Sequence, residues 1–184
     1  MKKKKAIIIV IVAIIAVSAA YGMIHKYFSP RGPLIITDIS AYEAALVENP
    51  NFPALPEAER LGKYGDIAFR YTERITFLMS QRSYALTAYY SPEDYAAQTA
   101  YLNKNCTFVE GASWRTDNCD PTFEHNGFVF RTEEDGLDYP KKMNFIGFND
   151  QEHAICQIAF RDIDLDECRN IVSLLSDFDL FGTA

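Results

Sequence analysis

Four cysteines, Cys106, Cys119, Cys156 and Cys168, are the side chains of this sequence with the widest range of chemistry. In an exported protein an even number of cysteines permits disulfides, and four cysteines allow three pairings. Cys106 and Cys119 flank an irregular segment, where a bridge would close a short loop and stabilise the fold by about 3 kcal/mol. Cys156 and Cys168 fall on the inward faces of a predicted strand and helix. They would pair there, or remain as small buried hydrophobic residues.

The spacing of cysteine, histidine and acidic residues does not predict a metal site. There is no CxxC motif, and His153 and Cys156 lie on opposite faces of a strand. Residues 162–167 resemble the beginning of a calcium loop, but Glu167 stands where such a loop needs glycine and Ser173 where it needs glutamate. Helix capping explains these acids equally well. We therefore predict neither a metal nor a cofactor.

Catalytic motifs are also missing from the sequence. It has no GxSxG or HExxH motif, no phosphate-binding glycine loop and no dinucleotide fingerprint. His125 beside Glu124 suggests acid–base chemistry, in which Glu73 would be a further carboxylate. An ordinary surface histidine explains the same pair. We predict no catalytic residues, and an acid–base enzyme using these three side chains is the alternative.

Three aromatic residues fall outside the predicted core. Tyr89 and Tyr101 point outward in the predicted strand and helix, and Trp114 lies in a predicted loop. Amphipathic aromatic side chains near acidic residues are typical of surfaces that contact proteins or carbohydrates. These three residues are the binding residues that the sequence predicts.

The charges of the chain are segregated along its length. The 184 residues carry 18 basic and 25 acidic side chains, a net charge of −7. Residues 1–26 hold five lysines and no acid, which leaves 13 basic residues against all 25 acids in the remainder. Such asymmetry indicates membrane topology rather than nucleic-acid binding, which requires clustered lysine and arginine.

The first 26 residues have the pattern of a membrane anchor. Residues 6–24 form an uncharged apolar run that spans about 28 Å as a helix, close to the thickness of the hydrocarbon core of a bilayer. The four lysines before it place the N-terminus in the cytoplasm. The alternative is a signal peptide cleaved after Ala20, which would release a secreted protein beginning at Tyr21. The first cysteine is Cys106, so lipoprotein anchoring is excluded.

The remaining residues predict a linker at 27–36, rich in proline and glycine, and a domain at 37–184. The domain begins with a helix from the Ser40 cap to Asn49. The other predicted elements are a helical turn at 57–61, strands at 67–77 and 83–90 with a turn at 79–82, a helix from Ser91 to 103–105, a loop at 106–127, strands at 128–131, 143–148 and 154–160 with a hairpin turn at 133–136, and a last helix from Asp164.

This order predicts an α+β fold in which an N-terminal transmembrane helix precedes a two-layer domain. An antiparallel sheet forms one layer, and amphipathic helices cover one of its faces. We expect a non-catalytic binding or interaction module of the cell envelope, held in the lipid bilayer by residues 6–24, whose partner is a protein or a polysaccharide. A small envelope hydrolase or transferase is the competing hypothesis.

Overall fold

The computed structural model describes residues 17–18, 33–49, 52–75, 80–110, 120–138, 141–162 and 179–181. These residues form an α+β fold with one antiparallel sheet of seven strands and three helices, which confirms the predicted class. The strands are β1 (Leu34–Ile36), β2 (Asp66–Ile75), β3 (Ser80–Tyr89), β4 (Thr122–His125), β5 (Phe128–Asp138), β6 (Lys142–Asn149) and β7 (Ala154–Asp162). The helices are α1 (Ile39–Glu48), α2 (Ala58–Leu61) and α3 (Pro92–Asn105).

The sheet has the strand order β1-β2-β3-β7-β6-β5-β4. Strands that follow one another in the chain pair antiparallel, except β3 and β4, which lie apart, and β7 pairs with both β3 and β6. The last strand therefore joins the N-terminal hairpin to the C-terminal strands. This placement brings Arg161, near the end of β7, to the middle of the sheet.

Local sequence signals explain where the two longer helices begin. The Asp38 carboxylate caps α1 and accepts hydrogen bonds from the amides of Ser40 at 2.8 Å and Ala41 at 3.1 Å. The predicted cap at Ser40 is wrong by two residues, because the longer reach of aspartate serves both amides. Helix α3 has its predicted cap, since Ser91 Oγ accepts from the Asp94 amide at 3.2 Å.

Helices α1 and α3 pack on the same face of the sheet, where they contact different residues of β3. Tyr42 of α1 is fully buried against Tyr84 of β3, within an aromatic cluster that includes Phe69 and Tyr71 of β2. Further along β3, the Tyr95 and Leu102 side chains of α3 join a cluster with Ala88, Ile146 and Ile155. The other face of the sheet carries a separate cluster built on Phe130, Phe145, Cys156, Ile158, Phe160 and Leu180.

Two short strands were not predicted. Leu34–Ile36 pairs with β2 and belongs to the sheet rather than to the predicted linker. Thr122–His125 pairs with β5 inside the segment predicted to be a loop. A strand of three residues, such as β1, is too short to show a period of two. For β4 the sequence did hold a signal, because Asn126 and Gly127, both at positive φ, form the two-residue turn that joins β4 to β5.

Two predicted turns are wrong. Ser80–Arg82 belongs to β3, and residues 76–79 lie outside the described residues. The acidic run Glu133–Gly136 lies within β5, which continues to Asp138 with an irregular register after Glu133. The composition of this run is typical of a turn. In the structure the irregularity in the strand, rather than a hairpin turn, accommodates Gly136 at φ +72°.

Several predictions fall outside the described residues. They concern the last helix from Asp164, Trp114, and most of the apolar segment 6–24, of which Val17 and Ser18 are described and helical. Among the described residues, no helix combines the length and the hydropathy that a bilayer-spanning helix needs.

Candidate functional site

One register row across the centre of the sheet consists of charged residues. Glu73 of β2 lies opposite Arg82 of β3, Arg82 opposite Arg161 of β7, and Arg161 opposite Lys142 of β6. Residues directly opposite each other on neighbouring strands share a face of the sheet. Three cations therefore stand side by side on the face that carries Tyr84 and contacts α1, and Asp138 of β5 lies opposite Lys142 at the other end of the row.

Glu73 neutralises the first of these cations. Its Oε1 accepts a hydrogen bond from Arg82 Nε at 2.7 Å, and both side chains are nearly buried. The sequence marks Glu73 as the one break in the apolar alternation of β2. The structure explains the break, because Glu73 is the counter-ion of a cross-strand arginine.

Arg161 has no such counter-ion among the described residues. Its Nη1 donates to the carbonyl of Met143 at 3.3 Å, to Asn144 Oδ1 at 3.0 Å and to the carbonyl of Phe160 at 2.7 Å. All three acceptors are uncharged. Burial lowers the pKa of Arg161, but arginine stays protonated at any physiological pH. Within the described part of the chain, this half-buried positive charge is thus held by neutral oxygens.

A second arginine, Arg60, shows the opposite environment. Its Nη2 lies 2.9 Å from Glu133 Oε1 and 3.0 Å from Oε2, and the Glu133 side chain is 4% exposed. Burial lowers the pKa of Arg60, but the hydrogen bond and the charge of Glu133 outweigh it and raise the pKa overall. A residue of a hairpin turn is ordinarily exposed to solvent, but Glu133 of the predicted turn at 133–136 is the buried half of an ion pair.

Polar side chains fix the backbone from which Arg60 projects. The Arg60 carbonyl accepts hydrogen bonds from Gln98 Nε2 of α3 at 3.0 Å and from Gln157 Nε2 of β7 at 2.9 Å. Tyr90 Oη donates to the Leu61 carbonyl at 2.7 Å. A helix of one turn is held in this way by both α3 and the sheet.

Two adjoining cavities, of about 350 and 500 Å³, lie beside this ion pair and share Glu57, Arg60, Glu133 and Asp135 in their walls. We refer to them together as the groove. The smaller cavity, its basic end, reaches Arg161; the larger, its acidic end, reaches Glu134. Further wall residues are Leu55, Pro56, Tyr84, Asn144, Ile146, Gln157 and Ala159 at the basic end and Tyr101, Asn105, Cys106 and Thr107 at the acidic end.

The groove wall supplies no activated nucleophile among its described residues. Burial raises the pKa of the Cys106 thiol, which therefore remains protonated at neutral pH and is a poor nucleophile. His125 lies on β4 with its ring 5.3 Å from that of Phe181, and its pKa is lowered by burial. His153 packs against Tyr95. Neither histidine lines the groove.

The sheet separates the residues that the sequence suggested for acid–base chemistry. Glu124 and His125 lie on β4 at one edge, and Glu73 lies on β2, five strand positions away. At about 4.8 Å between neighbouring strands, that separation is about 24 Å. These three side chains do not form one site.

The three predicted contact residues are not brought together as one surface. Tyr101 lines the acidic end of the groove and is 38% exposed. Tyr89 is also exposed, as predicted, but it ends β3 and is not part of the groove wall. Trp114 lies outside the described residues.

The predicted disulfides remain predictions. Cys106 and Cys156 carry free thiols in the structure, and Cys119 and Cys168 lie outside the described residues. Cys156 points into the core with Ile158 and Phe160, as predicted, and burial raises its pKa to about 12. Thiol titration under denaturing, non-reducing conditions decides between the possibilities, since four free thiols would refute both bridges.

Sequence reasoning missed Arg60, Glu133 and Arg161. A signal for Arg161 was present, because the inward alternation of Cys156, Ile158 and Phe160 assigns Gln157 and Arg161 to the opposite face. Arg60 and Glu133 are 73 residues apart, and the sequence holds no sign of their pairing. Among the described residues, no three histidine, cysteine or acidic side chains converge as metal ligands.

No protein-family model matches the chain, and no curated protein or solved structure is significantly similar to it. The chemistry of the groove is therefore argued from its own residues.

Proposed function

We propose that this protein is a membrane-anchored, non-catalytic binding module of the cell envelope, and that the groove is its ligand site. In this proposal residues 6–24 cross the bilayer with the N-terminus in the cytoplasm. A two-layer domain, with the helices on one face of the sheet, then lies outside the membrane. The partner is a component of the envelope that reaches the groove.

The observation that carries the proposal is the Arg60–Glu133 ion pair shared by both cavities. It sets two opposite charges in the groove wall, with Glu133 almost fully buried. The hydrogen bonds from Gln98 and Gln157 hold the Arg60 backbone. A wall that is ordered before the ligand arrives avoids part of the entropy cost of binding.

Binding is favoured over catalysis because the described groove wall holds no activated nucleophile, since burial raises the pKa of the Cys106 thiol. A nucleophilic mechanism requires a base within hydrogen-bond reach of the nucleophile. The buried acid next to Cys106, Glu133, is already engaged by Arg60. The groove thus offers hydrogen-bond donors and charges that can hold a ligand, with no side chain prepared to attack it.

The anchor part of the proposal rests on the charge pattern of the sequence. Four lysines precede the apolar segment, and the acidic domain follows it. N-terminal sequencing of the protein from membranes tests this part. We expect the uncleaved N-terminus, whereas a mature chain beginning at Tyr21 would refute the anchor and leave the binding proposal intact.

Site-specific photo-cross-linking in native membranes tests the ligand site. A benzophenone amino acid replaces Glu57, an exposed residue on the rim shared by both cavities. The matched control carries the probe at Val47 of α1, which is 86% exposed and outside the groove wall. Intact-mass spectrometry of the full-length protein then detects what has been attached.

We expect a discrete adduct mass with the probe at Glu57 and none with the probe at Val47. The same adduct at both positions would show contact that does not depend on the groove. No adduct at Glu57 would contradict the proposed ligand site.

A further inference from the structure

Arg161 presents hydrogen-bond donors that the described residues do not use. Its three hydrogen bonds all start from Nη1, so Nε and Nη2 donate to none of these residues. At the same end of the groove, Arg60 Nε is a buried donor with no partner in the described part of the chain. A buried donor without a partner is costly, so an acceptor supplied by a ligand would stabilise Arg60 Nε and would also give the unused Arg161 donors a partner.

The charges next to Arg161 increase its need for an anion. Its cross-strand neighbours are Arg82 on one side and Lys142 on the other. Like charges directly opposite each other destabilise a sheet. Glu73 pairs with Arg82, and Asp138 lies opposite Lys142 in the register, whereas both cross-strand neighbours of Arg161 are cations. A natural protein retains such a local conflict where function requires it.

The rest of the basic end limits what kind of anion fits. Glu133 is neutralised by Arg60, but Glu57 and Asp135 also line this cavity and are exposed. These two carboxylates repel a second negative charge on a ligand. A planar carboxylate carries one charge and matches the two-pronged geometry of a guanidinium. A dianionic phosphate suits this site less well.

Polar and apolar side chains share the remainder of the basic end. Asn144 and Gln157 are polar wall residues, and Leu55, Pro56, Ile146 and Ala159 supply apolar surface beside them. A ligand that extends from the carboxylate into this space gains stability by burying a short hydrocarbon chain. The cavity volume of about 350 Å³ matches the lower range of small-molecule sites.

We propose that the basic end of the groove binds a carboxylate monoanion that bears a short apolar chain. The carboxylate accepts hydrogen bonds from Arg161, and the chain lies against Ile146 and Ala159. This inference rests on the proposed function and names the ligand class for the same groove.

The test is a titration of the full-length protein in detergent micelles, followed by ¹H–¹⁵N NMR at constant ionic strength. Sodium propionate is the probe, and chloride replaces it at each point to hold the salt concentration. The reporters are the Arg161 Nε–H signal and the side-chain amide of Asn144, which accepts a hydrogen bond from Arg161. Propionamide, a neutral analogue of the same shape, and inorganic phosphate are titrated in parallel.

We expect saturable shifts with propionate, no shift with propionamide, and a weaker response to phosphate. Arg161→Met should weaken the propionate response at Asn144 by at least about tenfold, as loss of charge-assisted hydrogen bonds does. Arg131→Met is the control and should leave it unchanged, because Arg131 lies over the Phe108 ring outside the groove.

A response to propionate that is no greater than the response to propionamide would overturn the carboxylate class. Phosphate binding as tight as propionate binding would do so as well. Retention of binding in Arg161→Met would overturn the assigned residue. Any of these results, together with a specific adduct at Glu57 in the cross-linking experiment, would leave the groove as a ligand site and refute only its proposed chemistry.

Discussion

Arg161 lies directly opposite Arg82 on the neighbouring strand, and only Arg82 has a carboxylate partner among the described residues. The two arginines lie on the same face of the sheet, yet they differ in the groups that balance their charge. The ion pair with Glu73 neutralises Arg82 and gives it a structural role. Arg161 lines the groove, and its Nε and Nη2 donate no hydrogen bond to the described residues. We therefore propose that Arg161 binds a ligand rather than stabilises the fold.

The buried ion pair of the groove should be important for stability. Glu133→Gln removes the charge that faces Arg60 and leaves a partly buried cation unpaired, so we expect the free energy of unfolding to fall by about 3 kcal/mol. Urea unfolding of the full-length chain, followed by circular dichroism, measures it. Glu134→Gln changes the exposed neighbour and should alter stability by less than about 0.5 kcal/mol. Equal losses in the two variants would contradict the assigned pair.

A tyrosine hydroxyl ties helix α1 to the segment that follows it. Tyr42 is fully buried, and its Oη donates to the Pro53 carbonyl at 2.6 Å. We expect Tyr42→Phe to lower the free energy of unfolding by about 1–2 kcal/mol, because a buried acceptor is left unsatisfied. The same substitution at Tyr64, which is 43% exposed, serves as the control and should have no measurable effect. A neutral Tyr42→Phe would show that the carbonyl finds another donor.

Gly147 on β6 leaves space for an aromatic ring on β5. A Cβ at Gly147 would come within 2.7 Å of Cδ1 of Phe130, the residue opposite it in the register. We expect Gly147→Ala to destabilise the protein by about 1–3 kcal/mol through overpacking. Gly65→Ala is the matched control, since the nearest atom to its Cβ would be 3.7 Å away. If Gly147→Ala costs as much in a Phe130→Leu background as it does in the wild type, the ring is not the cause.

Stability should depend on pH through His125. Burial lowers the pKa of this histidine below its ordinary value of 6.5 in the folded state. Above pH 6.5 the side chain is neutral in both states; as the pH falls below 6.5, the unfolded chain takes up a proton before the folded chain does. The free energy of unfolding therefore decreases as the pH falls through this window.

Urea unfolding at several pH values between 5 and 7.5 measures this dependence. The slope should be smaller in His125→Gln than in the wild type. An identical slope in the wild type and in His125→Gln would refute the assignment.

The parts of the fold that the sequence predicted are those with local signals. Ser91 and Pro92 mark the start of α3, and the alternation in β2 and β3 marks their hairpin. The Glu133 ion pair escaped prediction because its partner Arg60 is 73 residues away in the chain. An acidic run with turn-like composition predicts exposed side chains, and only the tertiary structure shows that Arg60 of another element pairs with Glu133. The β4 strand pairs locally with β5 across Asn126-Gly127, so this hairpin had a sequence signal that the loop prediction overlooked.

The site could be predicted only in fragments. Tyr101 was identified because a helix exposes it, and it does line the groove. Arg161 escaped attention because an arginine near a strand end is ordinarily solvated. Its position is unusual only once β7 is inserted between β3 and β6, which no local pattern reveals.

The most direct test of the central claim compares Arg161→Met with Arg82→Met in the ligand-free, full-length protein. Arg82→Met strands the nearly buried Glu73 carboxylate and should lower the free energy of unfolding by about 3 kcal/mol. Arg161→Met strands no charge, and methionine retains the apolar stem, so its loss should be below about 1 kcal/mol. Such a difference would show that the charge of Arg161 contributes little to the free energy of unfolding. Equal losses in the two variants would contradict the account, because Arg161 would then be a structural residue.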